Sequence, residues 1–264
     1  MSRPALFVRD GDAYVAAAVA DGPWTPGALH GGAPAALLAH ILAAEVADTP
    51  LVLARLTCEF VRPVPRGPLR AVIEVVRPGR RVTVLDAFLH EPSGLEVTRA
   101  RALLLAPSEL AVTAPPPSGP PFPGPERGAA NDWDGGRPML VTDGMDIRFV
   151  HGRFRQVGPA TAWFRLRQPV VAGEPTRALD RVAAAADFGN GIASELSWDE
   201  HVFINADLTI HIERAPVDEW VALQSQMRLA PGSVALAESV LWDRRGRIGR
   251  ATQSLLVGRM DPPT

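Results

Sequence analysis

The 264-residue chain contains no lysine: its 27 basic residues are all arginine, against 29 acidic ones, for a formal net charge of −2. Without lysine no Walker-type phosphate loop can form. The near balance of charge gives no electrostatic reason to expect nucleic acid or an anionic membrane surface as a partner. There is one cysteine, Cys58, which excludes an internal disulfide framework and a cysteine-rich zinc site. No G-x-S-x-G elbow is present, which argues against an α/β-hydrolase. Gly189-Asn190-Gly191 lacks the third glycine and the strand context of a dinucleotide fingerprint. The six histidines are scattered, without acidic or cysteine partners at ligand spacing, so no metal and no cofactor are expected. The most apolar stretch, 33–47, carries His40 and Glu45 and is too short to cross a bilayer. The start, Met1-Ser2-Arg3-Pro4, soon reaches Asp10 and Asp12 and offers no signal-peptide core. A cytoplasmic protein without membrane insertion is the expectation.

What the chain does have is proline, 26 of them, concentrated between Pro107 and Pro138. Proline removes a backbone donor and fixes φ, and little in this segment is periodic, so it reads as an extended linker. The chain then divides into a unit at 1–106, a linker at 107–144 and a unit at 145–264.

The two units repeat each other. Leu56-Thr57 recurs as Leu208-Thr209, Val82 as Val234 and Gly94 as Gly246, each at an offset of 152; Arg99 recurs as Arg250 at 151. Each unit opens with short strands, at 13–20 in the first and at 146–154 and 162–171 in the second. An alanine-rich helix follows, at 34–46 and about 180–186, and then more strands. In 204–213 the apolar residues Ile204, Ala206, Leu208, Ile210 and Ile212 alternate with Asn205, Asp207, Thr209, His211 and Glu213, the pattern of a half-buried strand. One helix followed by antiparallel strands is an α+β unit, a curved sheet over one helix.

The set His30-Gly31-Gly32, Ala186-Asp187-Phe188, Asn205-Ala206-Asp207-Leu208-Thr209 and Ala251-Thr252-Gln253 resembles the acyl-CoA thioesterase II family and its thioesterase-like relatives. The resemblance covers both units and implies a tandem (double) hotdog, two antiparallel sheets each wrapped around a central helix. It also implies hydrolysis of acyl-CoA thioesters to fatty acid and CoA.

Subtracting one unit from the other shows unequal polar equipment. Gln253 falls opposite Ala102, Asn205 opposite Leu53, and Asp187 opposite Leu38 or Ala39. The His-Gly-Gly turn has no counterpart near Asp180. One site, built from both units, is expected. Asp187 follows Ala183–Ala186; a carboxylate packed there is desolvated unless paired, and desolvation strengthens it as a base. A helix cap or Asx turn is the competing role on residue grounds alone. The resemblance assigns Asp187 as the base, Asn205 and Gln253 as groups that orient the water, and Gly31, with Gly32 and His30, as the oxyanion and substrate-binding turn. Asn205 departs from the family, which usually has Thr or Ser there. The six tryptophans read as core or rim packing.

Two other functions stay in view. A non-catalytic acyl or acyl-CoA binding protein on the same scaffold is kept alive by Asn205. A hotdog hydratase would need a histidine a few residues after its aspartate, and the next one after Asp187 is His201. Chain length of the acyl group is not legible, and exposed sheet edges leave homo-oligomerisation open.

Overall fold

The segment Gly32–Glu45 is apolar on every side, and a helix of that kind has to be enclosed by the rest of the protein. In the computed structural model, which describes residues 5–108, 118–232 and 234–260, it forms helix α1 and is buried from Gly32 to Leu42. Pro34 sits in its first turn, where the missing N–H costs no hydrogen bond. Helix α2, Ala178–Ala186, packs against α1. The approach is close: a Cβ on Gly32 would lie 2.5 Å from the Ala184 carbonyl oxygen, so only glycine fits there. A short third helix, α3, spans Gly189–Ile192.

Among the described residues fourteen strands surround these helices. The first half contributes β1 (Phe7–Asp10), β2 (Ala13–Ala16), β3 (Val52–Glu59), β4 (Pro68–Arg77), β5 (Val82–His90) and β6 (Glu96–Leu105). The second contributes β7 (Ala129–Ala130), β8 (Met145–His151), β9 (Ala160–Leu166), β10 (His201–Asn205), β11 (Asp207–Ile212), β12 (Trp220–Ala230), β13 (Val234–Asp243) and β14 (Gly246–Arg259). The order is β1-β2-β4-β5-β6-β3-β11-β14-β13-β12-β9-β8-β7, with β10 also on β14. The fold is the α+β double hotdog, and the β3–β11 pair hydrogen-bonds its two sheets into one.

The strand register carries the duplication in detail. Thr57 pairs with Arg101 on β6, and Thr209 with Thr252 on β14. Val82 pairs with Leu105, and Val234 with Leu256. The offsets of 152 and 151 read from the sequence are therefore register positions. Both halves also share an irregularity. The β3–β6 ladder shifts at Ala54, and the β10–β11 edge breaks at Ala206, 152 residues later.

That break corrects the expectation of one continuous strand over 204–213. A bulge adds a residue and turns the following side chains over. Ile204, expected on the buried face, is 41% exposed, while Leu208 and Ile210 are buried as expected. Three other strands are shorter than expected. The one at 13–20 ends at Ala16 and passes into a 3-10 turn at Ala18–Ala20; the one at 146–154 ends at His151; the one at 162–171 ends at Leu166.

The proline-rich segment falls partly outside the described residues, at 109–117. Its part from 118 to 144 does not run free. Trp163 Nε1 donates to the Pro123 carbonyl at 2.8 Å, β7 pairs with β8, and Met139, Leu140 and Val141 are buried. Arg137 reaches back to the first half, to Asp21 at 3.2 Å and the Gly22 carbonyl at 2.6 Å. No helix among the described residues is long and apolar enough to cross a membrane.

Candidate functional site

Asp187 is the residue at which α2 ends, and it is 4% exposed. Its side chain gathers three of the residues singled out in the sequence. Asn205 Nδ2 donates to Asp187 Oδ1 at 2.8 Å, and Gln253 Nε2 donates to the same oxygen at 3.2 Å. Gln253 Nε2 also donates to the Asp187 carbonyl at 3.1 Å. Both amide orientations follow from chemistry, since an ionised carboxylate only accepts. The other end of Gln253 agrees: its Oε1 accepts the Asn190 N–H at 3.0 Å.

Asn205 reaches this position because of the break at Ala206. Alternation along an unbroken strand would set it beside Asp207 and Thr209, facing away from the helices. The bulge turns it inward, with its second N–H on the Asp207 carbonyl at 3.1 Å. At the equivalent place in the first half stands Leu53, after the same kind of bulge.

The second carboxylate oxygen faces the first half. His30 Nδ1 lies 2.9 Å from Asp187 Oδ2, and the His30 ring stacks on Phe188 with centroids 4.2 Å apart. The Gly32 N–H also points at His30 Nδ1, at 3.1 Å. One ring nitrogen cannot serve both contacts in the same way. With Asp187 ionised, Nδ1 carries the proton and donates to the carboxylate. With Asp187 protonated, Nδ1 is an acceptor. Gly31 fills the space between: a Cβ there would lie 2.8 Å from Asp187 Oδ2 and 2.9 Å from Phe60 Cζ. The Gly31 N–H has no partner among the described residues, whereas that of Gly32 is turned to His30.

Asp187, Asn205, His30 and Gly31 line one cavity of about 340 Å³; Gln253, at 2% exposure, stands behind it. Trp24, Phe60, Phe154, Phe188 and Trp198 contribute aromatic rings to its wall. Trp24 stacks on Trp198 at 4.8 Å, and Phe203 sits edge-on to both rings. Four of the six tryptophans thus have clear packing roles, with Trp163 in the core and Trp133 against Phe154.

Several contributors were not visible in the sequence. Asn190 holds Gln253 through its backbone and the Phe203 carbonyl through its side chain. A Cβ on Gly189 would lie 2.6 Å from Ser239 Oγ and 2.9 Å from Gln253 Oε1. Ser239 in turn shares a 2.7 Å hydrogen bond with Ser225, both buried. The Gly-Asn-Gly run was the available signal: small residues after an aspartate permit a tight α3 against the sheet. Burial, reinforced by the negative charges of Asp187 and Asp207, drives the Cys58 thiol far above its usual range, so it is no nucleophile.

A second buried cluster lies along the helix pair. His40 is held by Asp180 through Nδ1 and by Glu174 through Nε2, both at 2.8 Å, with the Arg177 guanidinium against the ring. No local pattern marks it, because these partners are 134 to 140 residues away. Among the described residues no cluster of three or more His, Cys, Asp or Glu has metal-holding geometry.

No curated protein sequence matches the chain. Solved structures do. A candidate thioesterase from Novosphingobium aromaticivorans is 24% identical with a TM-score of 0.74, over 95% of this chain and 98% of that one. A hot dog protein of unknown function from Alicyclobacillus acidocaldarius is 16% identical with a TM-score of 0.71, over 97% and 96%. The acyl-CoA thioesterase II TesB2 of Mycobacterium marinum is 14% identical with a TM-score of 0.68, over 96% and 95%. At these identities the likeness is one of fold. Sequence families carry more: residues 20–105 match the acyl-CoA thioesterase N-terminal domain and residues 117–257 the acyl-CoA thioesterase C-terminal domain. Matched in order along both halves, this double-hotdog chain belongs to the acyl-CoA thioesterase family.

Proposed function

We propose that the protein hydrolyses acyl-CoA thioesters with a water activated by Asp187. The observation that carries this reading is the convergence of Asn205, Gln253 and His30 on one buried carboxylate at the wall of a cavity. A carboxylate so held is a positioned base within reach of a bound water. The water oxygen attacks the thioester carbonyl carbon while its proton passes to Asp187. The carbonyl oxygen becomes an oxyanion beside the Gly31 N–H, at the N-terminal end of α1, where the helix dipole favours negative charge. The C–S bond then breaks, the proton goes to the leaving thiolate, and fatty acid and CoA result. With Asp187 ionised, the His30 Nδ1–H donates to it across the 2.9 Å contact and holds the carboxylate in place.

The geometry redistributes the amide roles. Gln253 has its donors on Asp187 and its acceptor on Asn190, so its part is to hold the base. Both N–H groups of Asn205 are likewise engaged, which leaves its Oδ1 to accept from the water.

The same engagement favours the second reading, an acyl-CoA binder without turnover, because neither amide keeps a free donor for water. Release of free thiol from a panel of acyl-CoAs decides between them. Wild type is expected to turn substrates over and Asp187→Ala to be inactive. Equal rates for the two proteins would sink the assignment of Asp187, and tight binding without any turnover would establish the binder.

A further inference from the structure

A second cavity, of about 680 Å³, lies at the other end of α1 and shares no lining residue with the first. Its walls are the first cavity's walls transposed by the duplication. Residues 52–54 stand where 204–206 stand, 212–215 where 60–63 stand, and Leu105 where Leu256 stands, at the offsets 152 and 151 fixed by strand register. The helical wall follows suit: Leu42, Ala43 and Val46 repeat the spacing of Asp187, Phe188 and Gly191. Asp187 is thus matched by Leu42, one helical turn beyond the Leu38 or Ala39 that subtraction of the sequences suggested.

The transposed cavity has lost the polar machinery. Leu42 replaces Asp187, Leu53 replaces Asn205, and Ala102 replaces Gln253 in the strand behind. It has also lost the aromatic filling, since the Trp198 loop has no counterpart between α1 and β3. The two charged residues on its wall are already matched: Arg214 binds Asp243 through two contacts of 2.6 Å and the Gly246 carbonyl at 3.1 Å, and Glu213 pairs with Arg247 at 3.0 Å. What remains is an apolar hollow with Val52 51% and Leu105 37% exposed at its wall. Its volume falls within the roughly 300–1,000 Å³ of small-molecule sites.

We infer that this cavity is a second acyl-chain site that binds without hydrolysis. The inference rests on the reading of the first cavity as the acyl-CoA site, because it is the two-fold relation that names the occupant. With no unmatched charge in the lining, the recognised group is a straight alkyl chain whose head stays in water. A free fatty acid and an acyl-CoA both supply one.

The test is binding stoichiometry by calorimetry with two probes, hexadecanoate and the non-hydrolysable thioether S-hexadecyl-CoA, alongside thiol release from hexadecanoyl-CoA. Wild type is expected to bind two chains. Ala54→Trp and Ala106→Trp, two independent fillings of the second cavity, are expected to bind one and to keep the wild-type rate at low substrate. Ala206→Trp, filling the first, is expected to bind one and lose turnover. Affinity at the second site should rise about fourfold per added methylene for both probes. A single chain in wild type, insensitive to Ala54→Trp and Ala106→Trp, would overturn the second site and leave the first intact. Retained turnover in Ala206→Trp would sink the placement of catalysis in the first cavity, and the inference with it. Two sites for S-hexadecyl-CoA but one for hexadecanoate would overturn recognition through the chain alone.

Discussion

The hydroxyls of Thr57 and Thr209 lie 3.3 Å apart and occupy one register position of the β3–β11 pair, although 152 residues separate them. That number is also the repeat offset, so each threonine faces its own duplicate. Around them Leu56 faces Ile210 and Cys58 faces Leu208, all four buried. The join is therefore built as an isologous dimer interface is, with the same strand meeting itself. A site formed across such a join occurs twice by geometry. The polar set Asp187, Asn205 and Gln253 occurs once because only the second copy carries it.

Asn205→Leu tests whether that asymmetry matters. It installs the residue of the first half at the same bulge, where Leu53 already fits. Loss of the donor to Asp187 leaves a buried carboxylate oxygen with one amide fewer, a cost of about 1.4–3 kcal/mol. Turnover is expected to fall roughly ten- to hundredfold. Asn205→Thr, which keeps a hydroxyl donor, should retain most of it. Thiol-release kinetics on both variants check this, and unchanged turnover in Asn205→Leu would remove Asn205 from the mechanism.

Gly31→Ala isolates the close approach of the turn to the base. Gly31 has φ −57°, which any residue adopts, so no backbone strain arises. The added methyl instead meets Asp187 Oδ2 at 2.8 Å and Phe60 Cζ at 2.9 Å. Overpacking of this kind typically costs about 1–3 kcal/mol. Because the displaced group is the proposed base, kcat is expected to drop at least tenfold while the melting temperature shifts by a few degrees. A large melting shift with normal kcat would show that Phe60 yields and Asp187 does not move.

Much of this is legible in the amino-acid sequence. An all-apolar α1 had to be enclosed, and the offsets 152 and 151 are strand register written into the sequence. The convergence of Asp187 with Gln253 followed from which polar residues the second half has and the first lacks. The inward turn of Asn205 was not legible, because alternation assumes an unbroken strand and Ala206 breaks it. Nor were His30–Asp187 and His40–Asp180, whose partners meet through helix packing that no local pattern encodes.

Cys58 should be silent to thiol reagents while the protein is folded. It is fully buried in the β3–β11 join, and burial with the charges of Asp187 and Asp207 keeps its thiol protonated. Labelling at pH 8 is expected to be negligible under native conditions and complete in denaturant, making Cys58 a reporter of opening at the join. Native labelling at the rate of a free thiol would mean that β3 and β11 separate readily.

The His40 cluster should shape stability against pH from both sides. For His40, burial opposes charging, but the hydrogen bonds it donates to Asp180 and Glu174 outweigh it and raise its pKa above the ordinary 6.5. Its contribution is therefore complete below 6.5 and is lost as pH rises through the raised value. Glu174 is held below its ordinary 4.5, chiefly by its hydrogen bond to His40, so its contribution is present above 4.5 and is lost as pH falls through the lowered value. Between the two the cluster is intact. His40→Leu leaves Asp180 buried without its cationic partner, and breaking such a pair costs about 3–5 kcal/mol. The melting-temperature gap between wild type and His40→Leu is expected to be widest between pH 4.5 and 6.5 and to narrow toward pH 9. A gap that stays constant from pH 5 to 9 would show that His40 is neutral in the fold and that the cluster is held by neutral hydrogen bonds.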